Sequence, residues 1–95
     1  MKRSYNYNYV FVMYDVEEKK CQKVFKICKK YLSHFQKSIF RGKITPSQLI
    51  SLRNEIKKVI NKDTDTITII KMIGQSSFEE ETHGFKYDYG EELIL

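Results

Sequence analysis

The run Tyr9-Val10-Phe11-Val12-Met13-Tyr14 stops abruptly at Asp15. Its β-branched, aromatic and thioether side chains suit a pleated surface, and the run is too short for a globular helix, so a strand is predicted. Apolar residues fall on both of its faces. Helices delivered by right-handed crossovers would cover one face of an open sheet, so the other must meet something else. Two covers are available: a second copy packed sheet to sheet, or the chain's own loops and tail.

Downstream, Cys21, Val24, Phe25, Cys28, Tyr31, Leu32 and Phe35 recur at helical spacing with lysines mostly between them, predicting an amphipathic helix from about Glu17 to Leu32. Gln36 to Arg41 reads as a second strand, closed by a turn at Gly42, with Lys43-Ile44 able to begin one more short pairing. Thr45-Pro46-Ser47-Gln48 carries a capping Thr, Pro at the first helical position and Gln at the third, the signature of a helix start. Leu49, Leu52, Ile56, Val59 and Ile60 continue it to near Asn61. Thr66 to Met72 is a further strand, Gly84 to Tyr89 alternates as an edge strand would, and Leu93-Ile94-Leu95 forms an apolar tail. The literal count is one strand short of a ferredoxin-like βαββαβ fold, and the short pairing near Lys43 supplies the missing one.

A chain of 95 residues, 41% of them hydrophobic, holds one domain. A core this small leaves stability marginal, which favours a partner copy. Cys21 and Cys28 lie seven positions apart, about 10.5 Å along a helix and beyond disulfide reach, so they read as buried thiols in a reducing compartment. No apolar run approaches the ~20 residues of a membrane span, and the first residues lack a signal-peptide core, so a cytoplasmic protein without membrane contact is expected. The net charge of +5 modestly favours a polyanionic partner.

Phosphate-loop, dinucleotide-binding, zinc-protease and paired Cys-x-x-Cys motifs are absent from the sequence. Cysteines on an apolar stripe stay protonated and inert, which disfavours a nucleophilic pairing with His34. His83 reads as an exposed loop residue and Glu79 to Glu81 as a solvated run. Asp15 stands at the carboxyl end of a strand, where open sheets place ligands; the competing reading is a cap for the following helix, and position alone leaves the two equal. One carboxylate is half of a magnesium site, since magnesium takes one or two carboxylates with several waters, and a two-fold axis would provide the second. Six lysines between Lys19 and Lys30 make either a solvated face or a stripe that a phosphate backbone can follow. Tyrosines 5, 7 and 9 suit packing better than base stacking.

Tyr9 to Val16, Lys23 to Leu32, Gln36 to Gly42, Ser47 to Leu52 and Asp65 to Met72, in this order and spacing, resemble the small CRISPR-associated adaptation protein, the endoribonuclease family that partners the CRISPR integrase. The resemblance implies an α+β, ferredoxin-like βαββαβ fold with a carboxyl-terminal extra strand, in a sheet-to-sheet homodimer. A core at about 8–73 would be followed by a dimerisation segment at about 78–95. It further implies Asp15 as catalytic and metal-binding carboxylate with Mg2+ as cofactor. RNA and/or DNA would lie on Lys19, Lys20, Lys23, Lys37 and Arg41. The implied activity is metal-dependent endonuclease cleavage during spacer acquisition; the alternative is a non-catalytic dimeric DNA-binding scaffold. Several members carry arginines where Lys19, Lys20 and Lys23 stand, and lysine keeps the charge without the bidentate phosphate geometry. A plain RNA-recognition domain is disfavoured, because its glycine- and aromatic-containing signature is missing from Thr66 to Met72.

Overall fold

Alternation in the first strand is resolved by two different neighbours. In the computed structural model, which describes residues 7–84, β1 (Tyr9–Asp15) turns Val10, Val12 and Tyr14 inward. Those side chains meet Val24, Ile27, Cys28 and Leu32 of the first helical region and Leu49, Leu52 and Ile56 of the second. Phe11 and Met13 point to the opposite face and are half-buried. Burying a side chain such as Leu52, fully enclosed here, contributes about 1.5–3 kcal/mol.

Helix α1 (Glu18–Tyr31) is amphipathic as expected. Its end is set by Leu32, whose extended backbone starts a tight connection into β2 (Ser33–Gln36). A two-residue turn at Lys37 and Ser38 leads to β3 (Ile39–Lys43). The predicted single strand Gln36 to Arg41 is therefore corrected to two antiparallel strands, and the predicted turn at Gly42 moves back to Lys37. Lys37 adopts φ 41°, the left-handed conformation that reverses the chain, although its residue type does not advertise a turn.

Gly42 instead lies within β3, opposite Val10. At φ 155°, a β-carbon there would be strained and would stand 3.4 Å from Leu32 Cδ2, so the glycine lets β3 pass close under the end of α1.

Helix α2 (Pro46–Lys57) begins as read from sequence: Thr45 accepts from the Gln48 amide at 3.2 Å, and the Gln48 side chain accepts from the Thr45 amide at 3.0 Å. It stops four residues before the expected Asn61, with Lys58 and Val59 continuing as a turn. Strand β4 (Thr66–Met72) completes an antiparallel sheet of order β2-β3-β1-β4, with α1 and α2 on one face. This is the ferredoxin-like α+β architecture. Glu55 joins the helices by accepting from Lys30 and from the Tyr31 hydroxyl.

After β4 the chain turns through a short 3-10 segment, Gln75–Ser77, and crosses the face away from the helices. Phe78 packs on Tyr9 and Phe11 with ring centroids 5.6 and 5.2 Å apart, so the chain covers one end of that face itself. The expected edge strand from Gly84 to Tyr89 and the apolar tail fall, Gly84 apart, outside the described residues.

Candidate nucleic-acid interface and the Asp15 corner

Antiparallel pairing places Asp15 beside Thr66, at the last rung of β1 and β4. On its other flank the Tyr14 amide donates to the Ser38 carbonyl at 3.1 Å, bringing the β2–β3 turn and Lys37 against the same end of the sheet. Because side chains alternate, Asp15 follows Phe11 and Met13 onto the face opposite the helices. It is exposed. It accepts no helix-capping hydrogen bond: the residue at the start of α1 is Glu17, without a side-chain cap of its own.

The capping role belongs to Asp65, which the sequence reading did not single out. One Asp65 oxygen accepts from the Glu17 amide at 2.9 Å, while the other accepts from the Asn61 amide at 2.8 Å and from Lys20 Nζ at 2.7 Å. Its side chain is fully enclosed. Lys20 also pairs with Glu17 at 3.0 Å. The Lys20 ammonium and the two amides hold the Asp65 carboxyl down at about 2, against an ordinary value of 3.8. In sequence the only signal was an acid one residue ahead of a strand that ends up beside β1.

A carboxyl whose folded value is depressed stabilises the fold above its unfolded value and loses that contribution as pH falls through the folded one. Stability is expected to fall as pH drops from about 4 to about 2. Urea titrations of Asp65→Asn should show lower stability at pH 5 and a smaller further loss on acidification; parallel curves for variant and wild type would contradict the assignment.

Five residues were expected to contact nucleic acid, and the fold disperses them. Lys19 and Lys23 are exposed on α1, one turn apart, and Lys26 and Lys30 extend the same stripe. Lys37 is exposed at the turn flanking Asp15. Lys20 is directed into the Asp65 pair. Arg41 lies on the open sheet face opposite Phe11, roughly 13 Å along the strand from Asp15, stacked 4.1 Å over Phe35 and ion-paired with Glu80. The acidic run is therefore not wholly solvated.

Burial pushes the Cys28 thiol up to about 12, in keeping with an inert core cysteine. Tyr14 is likewise raised to about 12 by burial, then by Cys28 and Cys21. Cys21, expected to be buried, is only partly covered.

Among the described residues no group of three or more His, Cys, Asp or Glu side chains gathers to hold a metal. Asp15 is a hard oxygen donor of the kind magnesium takes together with waters, but among the described residues it joins no cluster of ligating side chains within one chain. Nor, among the described residues, is any helix long and apolar enough to cross a membrane.

Fold and site together define a ferredoxin-like domain that presents a lone strand-end carboxylate on its open sheet face and a lysine stripe on its first helix. The family model described as CRISPR associated protein Cas2 matches residues 8–80, and the chain belongs to that family. It is 36% identical over 76 residues to the CRISPR-associated endoribonuclease Cas2 of Thermotoga maritima, covering 80% of this chain and 87% of that protein. A cas2 crystal structure superposes with a TM-score of 0.78 at 31% identity over 84% of this chain and 90% of the other. Streptococcus pyogenes Cas2, crystallised at pH 6.5, gives 0.66 at 26% identity over 78% and 99% respectively.

Proposed function

We propose that the protein is a CRISPR-associated, metal-dependent endonuclease that works as a homodimer and acts with the CRISPR integrase in spacer acquisition. The observation that carries this reading is the position of Asp15. It ends the row Phe11, Met13, Asp15 on the face opposite the helices, so any face-to-face pairing of sheets brings the Asp15 residues of both copies toward the interface. That face still carries apolar surface at Met13 and Ile39, both half-buried, and at Ile70, 46% exposed, even with Phe78 seated at one end. The relatives' naming as endoribonucleases supports the same activity.

In the dimer, Asp15 and its counterpart would share one Mg2+, which is the one- or two-carboxylate arrangement that ion accepts. Magnesium held there supplies Lewis-acid polarisation of the scissile phosphate and an activated water. Lys19 and Lys23, with Lys37 across the corner, neutralise backbone phosphates of RNA or DNA without reading sequence. Arg41, already paired with Glu80, reaches phosphate only if that pair opens.

The purified chain is expected to cleave single-stranded RNA or DNA with Mg2+, to stop on chelation, and to lose cleavage as Asp15→Asn while keeping its melting temperature and its affinity for the substrate. The second reading, a DNA-binding scaffold, is favoured by the lysine stripe, which needs no catalytic carboxylate. Spacer acquisition unimpaired by Asp15→Asn would select it.

A further inference from the structure

The Asp65 carboxylate is enclosed, and three donors from two separate segments converge on it, one of them Lys20 from the lysine run of α1. We infer that Asp65 and Lys20 are positioning residues for Asp15: together they clamp the β1–α1 elbow to the start of β4 and fix where the strand-end carboxylate stands. This rests on the reading of Asp15 as the catalytic group.

The elbow is two residues long, Val16 and Glu17, between the end of β1 and the first turn of α1. A junction this short transmits any tilt of the helix start directly to Asp15. Nothing in the elbow caps α1 from its own sequence. The Glu17 amide is satisfied from 48 positions away by Asp65, next to Thr66, the residue that faces Asp15 across the ladder. The other Asp65 oxygen ties in Asn61 and so anchors the loop that feeds β4. Lys20, one turn into α1, draws the helix onto the same carboxylate and braces Glu17 as well. The carboxylate thus holds α1 and the β4 entry loop, and Asp15 stands on the strand between them.

The consequence separates Lys20 from its neighbours on the stripe. Lys19 and Lys23 are exposed and have no ion pair among the described residues, whereas the Lys20 side chain is only 16% exposed and is directed at carboxylates. A phosphate contact would show in KM; a positioning role shows in kcat, because misplacing a reacting group by about 1 Å can cost about 100-fold.

The test uses the full chain with a labelled single-stranded RNA and Mg2+, under single-turnover and steady-state conditions well below each variant's melting temperature. Lys20→Met removes the cation and leaves both amide bonds to Asp65. Asp65→Asn turns a donor group either toward the Glu17 amide or toward the Asn61 amide and the ammonium together. The expected result is a kcat lower by about 10-fold for Lys20→Met and about 10- to 100-fold for Asp65→Asn, with KM within about twofold and partial recovery in Lys20→Arg. Amide hydrogen exchange at Glu17 or Asn61 should rise about tenfold in Asp65→Asn relative to Val12 in the central strand. Lower melting temperature with unchanged kcat would reduce the cluster to ordinary scaffolding and overturn the inference. So would a raised KM with intact kcat in Lys20→Met, which would make Lys20 a phosphate contact. If the wild-type chain cleaves nothing, the catalytic reading of Asp15 falls by itself, and exchange decides the clamp: unchanged rates at Glu17 and Asn61 overturn it. Should Asp65→Asn fail to fold, Lys20→Met carries the kinetic comparison alone.

Discussion

Phe40→Ala is expected to cost about 3–5 kcal/mol of folding free energy, since Phe40 is the largest fully buried side chain among the described residues. Phe40 is completely buried in β3, opposite Val12 of the central strand. Its ring stacks on Tyr14 at 6.3 Å, meets Phe25 edge-on at 5.1 Å and lies 4.9 Å from His34. These contacts join β3 to β1, to α1 and to β2, so the vacated space borders three elements that cannot close on it together. Small domains hold only about 5–15 kcal/mol in total, so the variant should lose a large share of its stability. A urea midpoint within about 20% of wild type would show that the hole collapses and that the aromatic layer is less constrained than its geometry implies.

The second large effect concerns catalysis. Asp15→Asn should lower the cleavage rate by about three orders of magnitude, the scale of a lost charge in a metal-assisted phosphate reaction. Mixing gives a sharper result than the variant alone. If one ion is shared across a two-fold axis, a dimer with a single Asp15 is inactive. An equal mixture of freely exchanging wild-type and variant subunits then retains about one quarter of the wild-type rate, the fraction of intact pairs. Independent sites would retain about one half. Rates from differently tagged subunits, measured after exchange is complete, distinguish the two. One half, with both subunits verified to be folded, would remove the shared-ion arrangement while leaving Asp15 as a residue that acts within its own chain.

Both expectations depend on the sheet having one face sealed by helices and one face only partly covered. Phe78 bears on this directly. By packing on Tyr9 and Phe11 it shields the end of the open face far from Asp15, where the Tyr9 ring is nearly enclosed, and leaves the Met13 end less covered. Arg41 and Glu80 fasten the same segment at the middle of β3. The two covers anticipated for the strand's second face are therefore compatible: the chain's own return segment takes one end, and the remaining apolar surface lies on the side where Asp15 stands.

The capping box at Thr45 and Gln48, the apolar stripe of α1 and the β-branched runs of β1 and β4 were legible in the linear sequence, because each is written in residues a few positions apart. Asp15 was visible for the same reason, as an acid ending an apolar strand. The β2–β3 hairpin was not: Lys37 takes a left-handed backbone that no glycine or asparagine announces, and Gly42, which does look like a turn, serves instead to let β3 pass beneath Leu32. The division of labour among the charges was equally hidden. Five acids stand in or beside the elements that meet at this corner: Asp15, Glu17, Glu18, Asp63 and Asp65. Sequence could not say that Asp65 would be enclosed and cap α1, that Lys20 would leave the stripe to join it, or that Asp15 would stay exposed. Local periodicity and capping act within one or two helical turns and fix the elements. Whether a charge is solvated or enclosed is decided by neighbours 45 and 48 positions distant, which only the closed sheet and its helices bring within hydrogen-bond range.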